Sequence, residues 1–294
     1  MLLQRERTIE EERKMKFQNK VAVVTGAGGT LCSAISVDLA KKGAKVVLVG
    51  RTKEKLDAVL SEINAFGGTA VAFCCDVTDQ KSVAELAAAV EETYGACSML
   101  VNGAGGNNTK AMPTITQFDR RELTKELPEG ERGLYDIDLD AFRQVLLTNT
   151  MGTVYPTLEF AKQMAANGGG SIINFASMNS YCPLTRCFSY AMSKAAIANL
   201  TQSFAAYFAP ANIRINAIAP GFMVNERSRG YLGTVEDGLT KRGSQVIGHT
   251  PMGRFGEADD LLGCVSWLLD EDASSFVTGI TVPVDGGFLT LSGV

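Results

Sequence analysis

Histidine is nearly absent from this chain: among 294 residues only His249 carries an imidazole, and no Cys-x-x-Cys pair occurs. A structural zinc therefore lacks its usual ligands and a histidine-based triad its usual base, so chemistry without a metal is expected. The seven cysteines are odd in number and Cys74 is adjacent to Cys75, which argues against a complete disulfide framework and for a reducing cytoplasm. They read as small core residues. Long apolar runs are missing too: residues 1–16 are crowded with Arg, Glu and Lys, and nothing later reaches the roughly 18 apolar residues of a membrane span. Neither sign of charge dominates, with 28 basic against 32 acidic residues and a formal net charge of -4. No basic field is available for nucleic acid or an anionic membrane, and small-molecule chemistry becomes the expectation.

What is present is a rhythm. From Lys20 onward, short β-branched runs alternate with longer amphipathic ones, as in strands joined by crossover helices. Strands are predicted at 21–25, 45–49, 70–75, 99–102, 171–175, 214–218 and 281–284, and helices at 31–42, 53–66, 81–93, 139–166, 190–207 and 257–269. The pattern predicts an α/β fold, a doubly wound parallel seven-stranded sheet with helices on both faces and ligands at the carboxyl ends of its strands. A charged N-terminal extension, 1–17, precedes a single domain, 18–294. Two polar, Gly- and Pro-punctuated stretches, 107–138 and 223–250, break the rhythm and read as loops near the substrate site.

The first predicted strand runs into Thr25-Gly26-Ala27-Gly28-Gly29-Thr30 and then a helix. There a dinucleotide's pyrophosphate would meet backbone N–H groups and a helix N-terminus, although a plain tight turn uses glycines in the same way. Tyr190 and Lys194, in Tyr190-Ala191-Met192-Ser193-Lys194, stand one helical turn apart on a shared face. An ammonium beside a phenol favours the phenolate and would bring the tyrosine toward acid–base work near neutral pH. An amphipathic helix with a solvated lysine has the same spacing.

With Ser177 ending the fifth strand and Asn149 inside the preceding long helix, the sequence resembles the short-chain dehydrogenase/reductase family over roughly residues 20–287. Further matches are Asp76-Val77, Asn102-Gly103-Ala104-Gly105, Pro220-Gly221 and Val284-Asp285-Gly286-Gly287. The resemblance implies a Rossmann-like domain and a nicotinamide-dependent oxidoreductase. By it, Tyr190 exchanges the proton, Ser177 holds the substrate oxygen, Lys194 meets the nicotinamide ribose and Asn149 orders a proton-relay water. It places Gly26, Gly28, Gly29, Thr30 and Leu31 at the phosphates, and Asp76 with Val77 at the adenine. Asn102, Ala104, Gly105, Pro220 and Gly221 would line the remaining cleft. Thr30 and Cys32 stand where the family usually has glycine, so the bulk of Cys32 must be accommodated where the helix packs closely.

NAD preference in such folds comes from an acid at the end of the second strand, where this chain has Val49-Gly50-Arg51. Arg51 is suited to a 2′-phosphate, which favours NADP over NAD. Within the family, the phosphate loop, Phe175-Ala176-Ser177-Met178-Asn179, Pro183-Leu184-Thr185 and the terminal Asp285-Gly286-Gly287-Phe288 with Ser292-Gly293-Val294 resemble the bacterial D-mannonate oxidoreductases, or fructuronate reductases. A sugar acid needs a cation for its carboxylate and polar groups for its hydroxyls. Arg186 and Arg229 are candidates for the first, Asn179 and Asn225 for the second. The cations of the 107–138 insert suit either a cap over the sugar or a solvated loop. A gluconate 5-dehydrogenase-like enzyme, a 3-oxoacyl reductase or a non-catalytic dinucleotide sensor would share the scaffold. Apolar surface on helices 139–166 and 190–207 suits a symmetric oligomer, and the resemblance implies a homotetramer.

Overall fold

Val and Ile pack well on a pleated surface, and the short β-branched runs do become strands. In a computed structural model that describes residues 15–234 and 238–291, these are β1 (Val21–Thr25), β2 (Lys45–Gly50), β3 (Thr69–Cys74), β4 (Met99–Asn102), β5 (Gly170–Phe175), β6 (Ile213–Pro220) and β7 (Thr281–Val284). They form one sheet in the order β3-β2-β1-β4-β5-β6-β7 with every pairing parallel. The direction of winding reverses between β1 and β4, so the loops leaving those two strands open a crevice at the carboxyl edge. Most of the N-terminal extension and the Ser292-Gly293-Val294 string lie outside the described residues.

The crossovers are α1 (Thr30–Lys41), α2 (Lys53–Ala65), α3 (Gln80–Tyr94), α4 (Leu139–Ala166) and α5 (Phe188–Phe208). The bounds of α4 coincide with the prediction because Asp138 caps it, accepting from the backbone N–H groups of Asp140 and Ala141, both at 2.9 Å. Stretch 223–250, expected as a loop, instead carries α6 (Glu226–Leu232) and α7 (Lys241–Gly248), separated by a two-residue ladder of Gly233–Thr234 with Gly238–Leu239. α8 (Asp259–Leu269) follows.

Strand alternation splits the core in two. Ala22, Val24, Val46, Leu48, Val101 and Ile173 face one side and pack with Ile35, Leu39, Leu56, Ile63 and Leu261 of α1, α2 and α8. Val21, Val23, Val47, Leu100 and Ile172 face the other, against Val83, Val90, Phe160, Met164 and Ala205 of α3, α4 and α5. Each fully buried Val, Leu, Ile or Phe contributes about 1.5–3 kcal/mol, so β1 and β4, buried along their whole length, form a firm frame for the crevice.

The 107–138 insert is organised by its own charges. Glu122, 6% exposed, accepts from the Leu134 N–H at 2.8 Å and the Asp119 N–H at 3.2 Å. Arg132 donates to the Thr109 and Met112 carbonyls at 2.6 and 2.7 Å. Of the cations proposed for a cap, Arg132 thus serves the insert's backbone, and Arg121 pairs with Asp119 at 2.7 Å.

Candidate active site

The β1–α1 turn is shaped for close approach. Gly26 has φ +70°, and a Cβ there would lie 2.9 Å from the Ala104 nitrogen, so no other residue fits without movement. Thr25 Oγ1 accepts from the N–H groups of Gly103 and Ala104, both at 3.1 Å, and ties this turn to the loop after β4. α1 begins after Gly29 with no side-chain cap, which leaves its first N–H groups facing the crevice edge without an internal partner. Uncapped N–H groups beside a glycine turn form a cradle for a pyrophosphate, and these residues fit a dinucleotide.

Cys32 is accommodated at Gly103. The thiol is 4% exposed, and a Cβ on Gly103 would lie 2.1 Å from its Sγ. The absence of a side chain at Gly103, in the loop after β4, makes the room the thiol fills. Burial pushes the Cys32 thiol up to about 12, opposed by the nearby Lys194 ammonium.

The carboxyl ends of β4 and β5 bring the catalytic candidates together. Lys194, 5% exposed, donates to the Phe175 carbonyl at 2.6 Å, and its Nζ stands 5.6 Å from the centre of the Tyr190 ring. Burial lowers its ammonium to about 8. The Tyr190 phenol is raised by burial, opposed by a hydrogen bond with Ser177 and raised further by Cys187 and Tyr231. The expectation that Lys194 draws this phenol down is therefore not met in this arrangement, where burial wins and the ammonium is held by Phe175. Asn149, 1% exposed, donates to the Gly106 and Val145 carbonyls at 2.8 and 2.9 Å and accepts from the Gly106 N–H at 3.0 Å. Its amide holds the 105–106 turn. A Cβ on Gly105 would meet Asn149 Oδ1 at 2.3 Å and Lys194 Nζ at 3.8 Å, so this glycine keeps the two side chains together.

Several expected ligand contacts are engaged within the protein instead. The Asn102 side chain, 1% exposed, donates to Thr157 and Asn174, both at 2.9 Å, and so ties β4 to α4 and β5 rather than lining the cleft. Asn225 caps α6, accepting from the Ser228 N–H at 2.9 Å, and is not a free hydroxyl ligand. Asn179 is buried beside Ser177, to which it donates, and both ends of its amide are engaged within the protein. Arg186, held at φ +72°, donates through Nη1 to the Thr114 carbonyl at 2.7 Å, joining the 177–190 segment to the insert. Arg229 lies exposed on α6. Asp76 accepts from the Thr78 N–H and hydroxyl at 2.9 and 2.8 Å; with the exposed Arg51 nearby, its carboxyl is held low. Pro220 ends β6, and Gly221 packs on Asp285, whose Cα a Cβ would meet at 2.7 Å.

Sequence reasoning missed Tyr231, which acts on Tyr190, and Arg242 beside Tyr231. Tyr231 on α6 raises the Tyr190 phenol, and the Arg242 guanidinium at the start of α7 lies 5.9 Å from the Tyr231 ring centre. Arg242 and Arg186 both act on the buried Cys187 thiol, easing the rise that burial causes. In both arginines Nε is buried and without a hydrogen-bond partner. The signal was present, since Thr240 accepts from the Gly243 N–H and starts α7, but it sat in a stretch read as loop. Two hollows flank the site: one of about 560 Å³ touches Asn179 and Arg186, the other of about 410 Å³ lies between Phe222 and Asp285.

Comparison with known proteins agrees with this geometry. The short chain dehydrogenase family matches residues 20–231. A crystal structure from Haemophilus influenzae, a candidate D-mannonate oxidoreductase with bound NAD, superposes with a TM-score of 0.88 at 42% identity, covering 94% of this chain and 97% of that one. The Bacillus subtilis oxidoreductase UxuB is 42% identical over 275 residues, 94% of this chain and 96% of that protein. A candidate NAD(P)-dependent gluconate 5-dehydrogenase from Beutenbergia cavernae, holding NADP at low occupancy, gives 0.78 at 30% identity, with 94% and 99% covered. On the matched sequence, the seven-stranded order and the Ser177, Tyr190 and Lys194 group, this chain belongs to the short-chain dehydrogenase family and is an NAD(P)-dependent oxidoreductase acting on CH–OH groups of a small molecule.

Proposed function

We propose that the chain interconverts the ketone and secondary alcohol of a sugar acid, D-fructuronate and D-mannonate foremost. The observation that carries this reading is that Arg186, on the hollow of about 560 Å³ it shares with Asn179 and Cys187, and Arg242, which with it acts on the Cys187 thiol, each keep a buried Nε without a hydrogen-bond partner. A buried donor without a partner costs about 1–3 kcal/mol, and a substrate carboxylate would satisfy both. Likeness to the Haemophilus influenzae candidate D-mannonate oxidoreductase supports the same choice.

When bound, the dinucleotide supplies or accepts the hydride at the carbonyl carbon. Gly26, Gly28 and Gly29 allow its phosphates near the backbone, with Thr30 and Leu31 offering N–H groups at the start of α1. Asp76 and Val77 would hold the adenine, Ala104 and Gly105 would line the cleft, and Pro220 and Gly221 would close its far side. Arg51 would meet the ribose and suit a 2′-phosphate, which would make NADP the preferred form with NAD accepted. In carbonyl reduction the Tyr190 phenol delivers its proton to the substrate oxygen, and burial, by raising the phenol, keeps that proton in place until needed. The Ser177 hydroxyl donates to the same oxygen and stabilises charge developing there. Lys194 would hold the nicotinamide ribose, and Asn149 fixes the turn beside it. Apolar surface on α4 and α5, including exposed Leu147, Leu158 and Met192, fits assembly as a homotetramer.

Purified protein assayed with fructuronate, mannonate, 5-ketogluconate and neutral ketoses, each with both cofactors, tests the reading. Highest kcat/KM on the fructuronate–mannonate pair is expected. Higher efficiency on 5-ketogluconate moves the assignment to a gluconate 5-dehydrogenase, on a neutral ketone it removes the carboxylate site, and cofactor binding without turnover indicates a sensor.

A further inference from the structure

Ser177 has an extended backbone, φ −168° and ψ 160°, and its Oγ accepts two hydrogen bonds from one residue. The Asn179 backbone N–H approaches at 3.2 Å and the Asn179 Nδ2 at 3.3 Å. Which end of that amide faces Ser177 is fixed from the other side, because Asn179 Oδ1 accepts the Leu184 N–H at 2.9 Å. A backbone N–H only donates, so the amide oxygen must face Leu184 and the NH₂ must face the serine. A serine oxygen has two lone pairs and one hydrogen. With both lone pairs met by N–H donors, the hydroxyl is left only its hydrogen to offer, and the neighbouring Tyr190 phenol, which Ser177 draws down against the effect of burial, is a group it can offer it to.

We infer that Asn179 is a positioning residue that fixes the Ser177 hydroxyl as a donor toward Tyr190 and the substrate oxygen. The inference rests on the oxidoreductase reading of that site. It gives the buried asparagine a task that a sugar contact does not explain, since Asn179 is 5% exposed with both ends of its amide engaged. The direction of the Ser177 hydrogen decides whether that residue stabilises or opposes negative charge on a reacting oxygen.

The Asn179→Asp variant separates polarity from packing. Its carboxylate, having no hydrogen, accepts from Ser177 and turns the hydroxyl away from Tyr190, whereas the neutral acid donates to Oγ as the amide did. Burial raises such a carboxyl into an accessible range. At pH 8, carbonyl reduction by Asn179→Asp is expected to fall by about 10²-fold with dinucleotide Kd unchanged, the size typical of losing one such donor. It recovers at least about tenfold as the pH falls to about 5.5, where wild type gains nothing. Asn179→Ala falls less and keeps the wild-type pH profile. A pH profile for Asn179→Asp parallel to wild type overturns the inference.

A second readout needs no turnover. In protein labelled with ¹³C at tyrosine Cζ, the Tyr190 resonance, assigned by its loss in Tyr190→Phe, moves in the same direction in Ser177→Ala and Asn179→Asp. An unmoved resonance in Asn179→Asp overturns the inference whatever the enzyme turns over. Should Asn179→Asp not fold, Asn179→Ala carries the same measurement. A moved resonance in a protein whose wild type reduces no carbonyl sustains the inference and removes the functional reading instead.

Discussion

Cys32 and Gly103 fit each other as bulk and gap: a methyl on Gly103 would stand 2.1 Å from the Cys32 sulfur. Gly103→Ala is therefore expected to destabilise the fold by about 1–3 kcal/mol, as overpacked sites do. Relief comes when Cys32→Ala removes the sulfur, although the Thr25 carbonyl, 3.0 Å from the same added methyl, limits it. Urea denaturation of the four proteins of this cycle measures the coupling. Additive effects would show that the two loops do not share the space.

Lys194 gives stability a pH dependence with a definite sign. Its native value of about 8 lies below the ordinary 10.5 because the ammonium is buried. Between those values the unfolded chain holds a proton that the folded chain has released, so stability rises with pH across the window. Below about pH 8 both states are charged, and the folded one carries the full desolvation cost. Cys32 acts in the opposite sense, its thiol raised from 9.0 to about 12. Comparison with Lys194→Met, which keeps Cys32, isolates the lysine. Wild type should gain stability relative to Lys194→Met from pH 8 to 10.5, and a constant difference would contradict the burial argument.

Tyr190 supplies a kinetic asymmetry. A phenol raised by burial keeps its proton through the neutral range, the form needed to reduce a carbonyl. Alcohol oxidation, which needs the proton removed, is expected to climb with pH through the range in which reduction starts to fall. Tyr190→Phe should lower both by about 10²–10⁴-fold, the usual worth of a positioned acid or base. Reduction as fast in Tyr190→Phe as in wild type would mean that another group carries the proton.

Cofactor choice is tested at Arg51. Arg51→Asp places an acid where ribose hydroxyls would be bound and repels a 2′-phosphate. The ratio of kcat/KM for NADP over NAD should fall by at least about tenfold, and an unchanged ratio would leave Arg51 as a surface residue.

The sheet was legible because its signals are local. Alternation along β1 divides Val21 and Val23 from Ala22 and Val24, and Asp138 marks the start of α4. Tyr190 and Lys194 were legible for a similar reason, since one turn of helix fixes their shared face. The internal partners of the polar residues assigned to ligands were not, because those partners lie far along the chain. Arg186 meets Thr114 and Asn102 meets Asn174, contacts that no local pattern records. Asn225 is the reverse case: its partner Ser228 is three residues away, yet a capping signal without apolar periodicity does not mark a helix.

Arg242 carries the sharpest test of substrate class. Unlike Arg186, whose Nη1 also holds the insert through Thr114, it can be altered without touching that latch. A charge-assisted contact to a carboxylate is worth about 1.5–3 kcal/mol, so Arg242→Ala should raise KM for fructuronate by about 10- to 100-fold. For a neutral ketose lacking the carboxylate, KM should stay within about twofold, because no charge pair is lost. Arg242→Lys keeps the charge but loses the planar fork and should fall between the two. The contrast between acid and neutral substrate is what matters, since general damage to α7 would weaken both equally. Equal changes would detach Arg242 from the carboxylate and leave its buried Nε without a ligand.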